Sequence, residues 1–204
     1  MATGSTPVGM YHELIKMYEN KELSFEQVTT FNLDEYVGLD KEHPQSYHAF
    51  MNENLFNHVD IKKENVNLPD GQAEDLEQEC AAYDKKIKEA GGIDLQVLGI
   101  GHNGHIGFNE PKTPFESLTH VVDLDERTIQ ANSRFFDSID QVPRKAVSMG
   151  IKSIMQAQKI LFMATGADKA EIVAKALQGP VTPEVPASVL QLHPNVTVVL
   201  DKEA

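Results

Sequence analysis

Apolar positions along the chain switch repeatedly between helical and strand spacing, and that alternation is the first thing the sequence says about its fold. Met10, Leu14, Met17 and Tyr18 fall on one helical face after Pro7. They predict a helix to about residue 20, with Thr6 as N-cap and Pro7 at the first helical position. Residues 28–32 (VTTFN) are β-branched and aromatic and read as a strand, followed by a polar loop through Pro44. A helix over 46–59 carries Tyr47, Phe50, Met51 and Leu55 inward, and 60–72 reads as loop. Leu76, Cys80, Tyr83 and Ile87 then define the clearest helix, over 73–90, stopped by Gly91-Gly92.

Beyond it, 95–100 (LQVLGI), 120–124, 145–149, 159–165 (KILFMAT) and 195–200 (NVTVVL) read as strands, and 126–136, 151–157 and 167–178 as helices. Strands separated by helices predict an α/β fold with a mostly parallel sheet and helices on both faces. With no repeat, low-complexity tract or linker, residues 1–204 form a single domain.

Composition narrows the ligand classes. Hydrophobic residues make up 41% and charged residues 24%, ordinary for a globular chain and wrong for disorder. With 18 basic against 31 acidic residues the net charge is −13, which argues against nucleic acid and anionic membranes as partners. An anionic ligand therefore needs a few local cations and backbone amides. The single cysteine, Cys80, allows no internal disulfide and no cysteine zinc cluster, and fits a reducing, cytoplasmic setting. No apolar run reaches the roughly 18 residues of a membrane span.

In α/β sheets ligands collect beyond the carboxyl ends of strands, so the loops there are the place to look. Thr3, Gly4, Ser5 and Thr6 precede a helix, where unpaired amides and the helix dipole favour a phosphate as readily as a plain capped turn. Asp34 and Glu35 follow the first strand. Residues 101–111 interleave glycines with His102, Asn103, His105 and Glu110, a backbone that can approach a ligand and groups that can move protons near neutrality. Two histidines could share a metal, but the glycines break helical spacing and no third ligand is evident. Lys169 sits at a helix start, where a cation is disfavoured unless an anion is near. Arg134 reads by itself as a surface charge.

Taken together, FNLDEYVGL (31–39), GIGHNGHIGFNEP (99–111), ANSRFFD (131–137), GADKA (166–170) and ASVLQLHP (187–194) resemble the glucosamine-6-phosphate deaminases along essentially the whole chain. The resemblance implies a Rossmann-like, three-layer sheet and conversion of glucosamine 6-phosphate and water to fructose 6-phosphate and ammonia, with no metal or organic cofactor. It implies that Asp34 moves a proton between carbons 2 and 1, and that His105 opens the sugar ring with Glu110 and Asn103 tuning it. Thr3, Gly4, Ser5, Thr6, Arg134 and Lys169 would cradle the phosphate. It leaves a homo-oligomer open.

Three departures stand out. Asn103 replaces an aspartate found in some members and can only orient. His120 and Val122 stand where members controlled by N-acetylglucosamine 6-phosphate carry basic residues. Members also have a helix and strand before the ATGSTP loop, so the chain is expected to be an N-terminal truncation with a break in its sheet lined by exposed apolar residues. 6-Phosphogluconolactonases have a related GHxxxF-like loop, but their downstream serine-rich continuation is missing here and FNEP favours the deaminases; a non-catalytic sugar-phosphate sensor would need no Asp34, His105 and Glu110.

Overall fold

The computed structural model describes residues 1–133, 136 and 138–204, which form a mixed α/β fold. Among the described residues the strands fall into three hydrogen-bonded ladders. In one, β4 (Leu95–Leu98) and β8 (Val196–Leu200) flank β7 (Lys159–Ala164), all parallel. In another, β1 (Thr30–Phe31) runs parallel to β3 (Val66–Asn67). The third is antiparallel: β6 (Lys145–Ser148) lies between β2 (Asp34–Tyr36) and β5 (His120–Asp123). The expectation of an α/β fold with mostly parallel pairing holds, and the antiparallel ladder around β6 is an addition that the apolar pattern did not predict.

Helix α1 (Val8–Glu19) has Pro7, not Thr6, at its cap position, with no side-chain cap bond. Its core-facing residue is Tyr11, fully buried with its hydroxyl on the Ala2 carbonyl at 2.5 Å, whereas Met17 is exposed. A hydroxyl that finds a backbone acceptor can be buried like a hydrophobe, which the apolar spacing alone does not register. Helix α2 (Tyr47–Asn54) is capped by Ser46, whose oxygen accepts from the Ala49 N–H, and buries Met51. Helix α3 (Leu76–Glu89) is capped by Asp75, buries Cys80 and Tyr83, and ends at Gly91, whose φ is +94°. Shorter helices α4 (Glu126–Asn132), α5 (Ile151–Met155) and α6 (Ala170–Gln178) complete the order.

Two stretches read as loop are strand. Asp34–Tyr36 pairs with β6 and all three residues are buried. Acidic residues are depleted in strands; here burial and the ladder override that preference. Val66–Asn67 is too short to leave a pattern. The ladders of β1 and β4 are not hydrogen-bonded to one another, yet Phe31, Leu33, Val97 and Leu98 are buried in one shared cluster, so they do not form the exposed lining expected of a sheet break. Among the described residues no helix is long and apolar enough to cross a membrane.

Candidate active site

After β1 the chain passes through Asn32 and Leu33 and changes partner, from β3 to β6, at Asp34. That change carries Asp34 to the end of the parallel pair, opposite Ser148 in the register. The glycine-rich loop of residues 101–111 is pinned over the same point. Asn109, fully buried, donates to the carbonyls of Ile106 and Met149, both at 2.8 Å, and the Phe108 N–H donates to Ser148 Oγ at 3.1 Å. Gly107, at φ +57°, passes close enough that a β-carbon there would lie 3.7 Å from Asp34 Oδ2. Segment 182–192 closes the loop from the other side: the Ala187 N–H bonds the Gly104 carbonyl and the Lys112 N–H bonds the Pro183 carbonyl.

These elements enclose a cavity of about 790 Å³, lined in part by Thr3, Gly4, Ser5, Thr6, Asp34, His105 and Lys169. The volume lies in the range of small-molecule sites. Thr3 to Thr6 enter it just before α1, and Lys169 from the turn that leads into α6. Lys169 Nζ has Asp168 Oδ2 only at 3.9 Å, and Asp168 itself is largely exposed, a loose and solvent-screened pair. Arg134 lies outside the described residues.

Asn103 and Glu110 are not on the cavity wall. They stand behind His105, where Nδ1 lies 3.2 Å from Glu110 Oε1 and neither atom has another partner among the described residues. Asn103 ties the group together, accepting the His105 N–H on Oδ1 at 3.2 Å and donating from Nδ2 to Glu110 Oε2. Burial works against the Glu110 charge, but His105 and Asn103 outweigh it and hold the carboxyl below its ordinary range. A carboxylate opposite Nδ1 selects the tautomer protonated there and leaves Nε2 as the basic nitrogen. Gly101 packs flat on that ring, since a β-carbon would sit 2.1 Å from Nε2.

Asp34 is pushed from 3.8 up to about 7, first by burial and then by the neighbouring Glu35 charge, with the Met1 amine pulling back in part. A carboxyl poised there exchanges a proton readily at neutral pH. The aromatic wall beside it escaped the sequence reading. Tyr36 and Tyr47 have ring centroids 4.7 Å apart, Phe108 packs on both, and Phe136 and Phe50 extend the lining. The Tyr47 hydroxyl is hydrogen-bonded to the side chains of Tyr36 and Thr3, and burial raises its pKa well above the ordinary value. The signal available was Ser46, an N-cap residue that fixes where α2 begins and so which face Tyr47 takes.

An α/β sheet with a polar, proton-handling cavity beyond its strand ends, beside a helix start rich in hydroxyls, defines a class of protein that handles small anionic substrates. Comparison with known proteins narrows it. Residues 1–199 match the family Glucosamine-6-phosphate isomerases/6-phosphogluconolactonase, and the chain belongs to that family. A glucosamine-6-phosphate deaminase of Thermoanaerobacter pseudethanolicus is 60% identical over 204 residues, all of this chain and 81% of its own length. One from Clostridium botulinum strain Langeland is 58% identical, with 84% of its length covered. Among solved structures, a monomeric glucosamine-6-phosphate deaminase superposes with a TM-score of 0.96 at 51% identity, over the whole chain and 84% of that structure. A 6-phosphogluconolactonase from Thermotoga maritima gives 0.74 at 22% identity over 98% of this chain and 82% of that one, a likeness of fold.

Proposed function

We propose that the chain is a glucosamine-6-phosphate deaminase, converting glucosamine 6-phosphate and water to fructose 6-phosphate and ammonia. The observation that carries the reading is one cavity walled by a carboxyl poised at neutrality, an imidazole backed by a carboxylate, and a hydroxyl-rich helix start with a lysine. Identity near 60% with proteins named for this activity supports it over the lactonase, for which the likeness stops at the fold.

In this reading Thr3, Gly4, Ser5 and Thr6 present amides and hydroxyls to the phosphate, and Lys169, with Arg134, supplies charge that the acidic chain otherwise lacks. His105 takes the anomeric hydroxyl proton on Nε2 and returns one to the ring oxygen. Glu110 stabilises the imidazolium that forms in between, and Asn103, which cannot titrate, holds the two in place. In the open-chain form Asp34 takes the proton from carbon 2 and delivers it to carbon 1, while the amine leaves carbon 2 as ammonia and water supplies the ketone oxygen. Two adjacent carbons can be served by one carboxylate because both lie within reach of its oxygens. No step in this scheme calls on a metal or an organic cofactor, and the setting is cytoplasmic.

The test is direct. Purified protein with glucosamine 6-phosphate should release ammonia and fructose 6-phosphate in equal amounts. Hydrolysis of 6-phosphogluconolactone without ammonia release from the amino sugar would overturn the proposal.

A further inference from the structure

Glu35 is 3% exposed, and it points away from the chemistry its neighbour would perform. Its Oε1 accepts the Tyr36 N–H at 2.8 Å and the Tyr47 N–H at 3.0 Å, and Oε2 accepts the His48 N–H at 3.0 Å, with His48 Nδ1 at 3.6 Å. Two of those amides belong to the first turn of α2, whose orphan donors need an acceptor, so one side chain of β2 holds the helix that contributes Tyr47 and Phe50 to the cavity. Every one of these is a contact that a carboxylate oxygen accepts.

We propose that Glu35 is a positioning residue for the deaminase reaction: it ties α2 to β2 beside the cavity and holds a second buried carboxylate next to Asp34 in the strand. The proposal rests on the deaminase reading. The groups acting on or near Asp34 are Glu35 from β2, Tyr47 from α2, Tyr83 from α3 and the Met1 amine, with His105, Lys169 and, on the rim, Glu53 across the same cavity. Of the acidic side chains only Glu35 is both buried and adjacent in the strand, where its charge is least screened. A protonated Asp34 cannot accept the carbon-2 proton, so the acid limb of kcat/KM reports its titration. Neutralising Glu35 must carry that limb to lower pH.

The experiment compares wild type, Glu35→Gln and Glu35→Asp. In Glu35→Gln the acid limb should move to lower pH, and the Asp34 carboxyl, followed by carbon-13 NMR, should titrate lower by the same shift. Glu35→Asp keeps the charge but is too short to reach the α2 amides, so the limb should stay while KM rises. A structural role alone would leave both profiles superimposed, and that outcome overturns the proposal. Two measurements need no variant. Wild-type Asp34 must titrate well above 4, and the Tyr47 and His48 amides must resist hydrogen exchange; an ordinary carboxyl midpoint or exchange at solvent rates overturns it. A wild-type chain that releases no ammonia would sink the deaminase reading and leave the carboxyl titrations standing.

Discussion

His105 Nδ1 and Glu110 Oε1 lie 3.2 Å apart and have no other polar partner among the described residues, so each is the whole polar environment of the other. Removing the carboxylate leaves a buried imidazole nitrogen with nothing charged to balance the proton it would gain in the proposed ring opening. Glu110→Gln should therefore slow turnover of the closed sugar by about a hundredfold, the low end for a general acid-base group. Turnover starting from an open-chain substrate should change far less. Equal slowing of both forms would remove the pair from ring opening.

The same carboxylate makes a pH-dependent contribution to stability. Its folded pKa lies below 4.5, so the contribution is present above that value and is lost as pH falls through the lower, folded one. The difference in melting temperature between wild type and Glu110→Gln should accordingly shrink below about pH 4.5. A difference that grows in acid would contradict this.

Asp34 works in the opposite sense. Its pKa is raised from 3.8 to about 7, so the folded chain holds a proton that the unfolded chain gives up, and stability falls as pH rises through that interval. Asp34→Asn should be more stable than wild type at pH 7 and above, by on the order of a few kcal/mol, and the gain should vanish towards pH 4. The variant should also lose at least about a hundredfold in kcat while still binding the sugar phosphate. Wild-type kcat/KM should fall as pH drops below about 7. Near-normal turnover in Asp34→Asn would remove the residue from the mechanism.

Lys169→Ala should act chiefly on affinity, because the phosphate lies away from the bonds that change. Loss of one charged hydrogen bond is worth about 1.5 to 3 kcal/mol, or roughly a ten- to hundredfold rise in the dissociation constant. Inhibition by inorganic phosphate should weaken in parallel. An unchanged affinity for both ligands would remove Lys169 from the cradle.

Gly101→Ala tests positioning without touching a titratable group. The new methyl would sit 2.1 Å from His105 Nε2, so the imidazole must swing away. kcat should drop while phosphate affinity holds. Normal turnover would mean that His105 is not used in the orientation described.

What could be read from the sequence is what local pattern encodes. LQVLGI and KILFMAT are strands because their apolar runs have no other stable home, and the stripe ending in Tyr83 and Ile87 could only be a buried helix face. The 101–111 loop announced itself through glycines set among histidines, an asparagine and a glutamate. Asp34–Tyr36 did not read as a strand, because its pairing with β6 is held more than 100 residues away in sequence. Glu35 was legible only as a charge beside Asp34, since its role depends on amides of a helix 12 residues further on. Tyr11 is buried through a hydroxyl bond that apolar spacing does not report.

Segment 182–192 meets the glycine loop at Gly104 and Lys112, and Val185 presses on Gly104 so closely that a β-carbon there would lie 2.8 Å from its side chain. This ties the assembly of the site to the order of synthesis. A nascent chain that already carries Asp34, His105 and Glu110 outside the ribosome still lacks the contacts that close the loop from the side of segment 182–192. The brace arrives only when residue 187 emerges, after β7 and α6 have been made. A chain ending near residue 180 would therefore keep the anchors of the loop at Ser148 and Met149 but lack the contacts at Gly104 and Lys112 that segment 182–192 supplies.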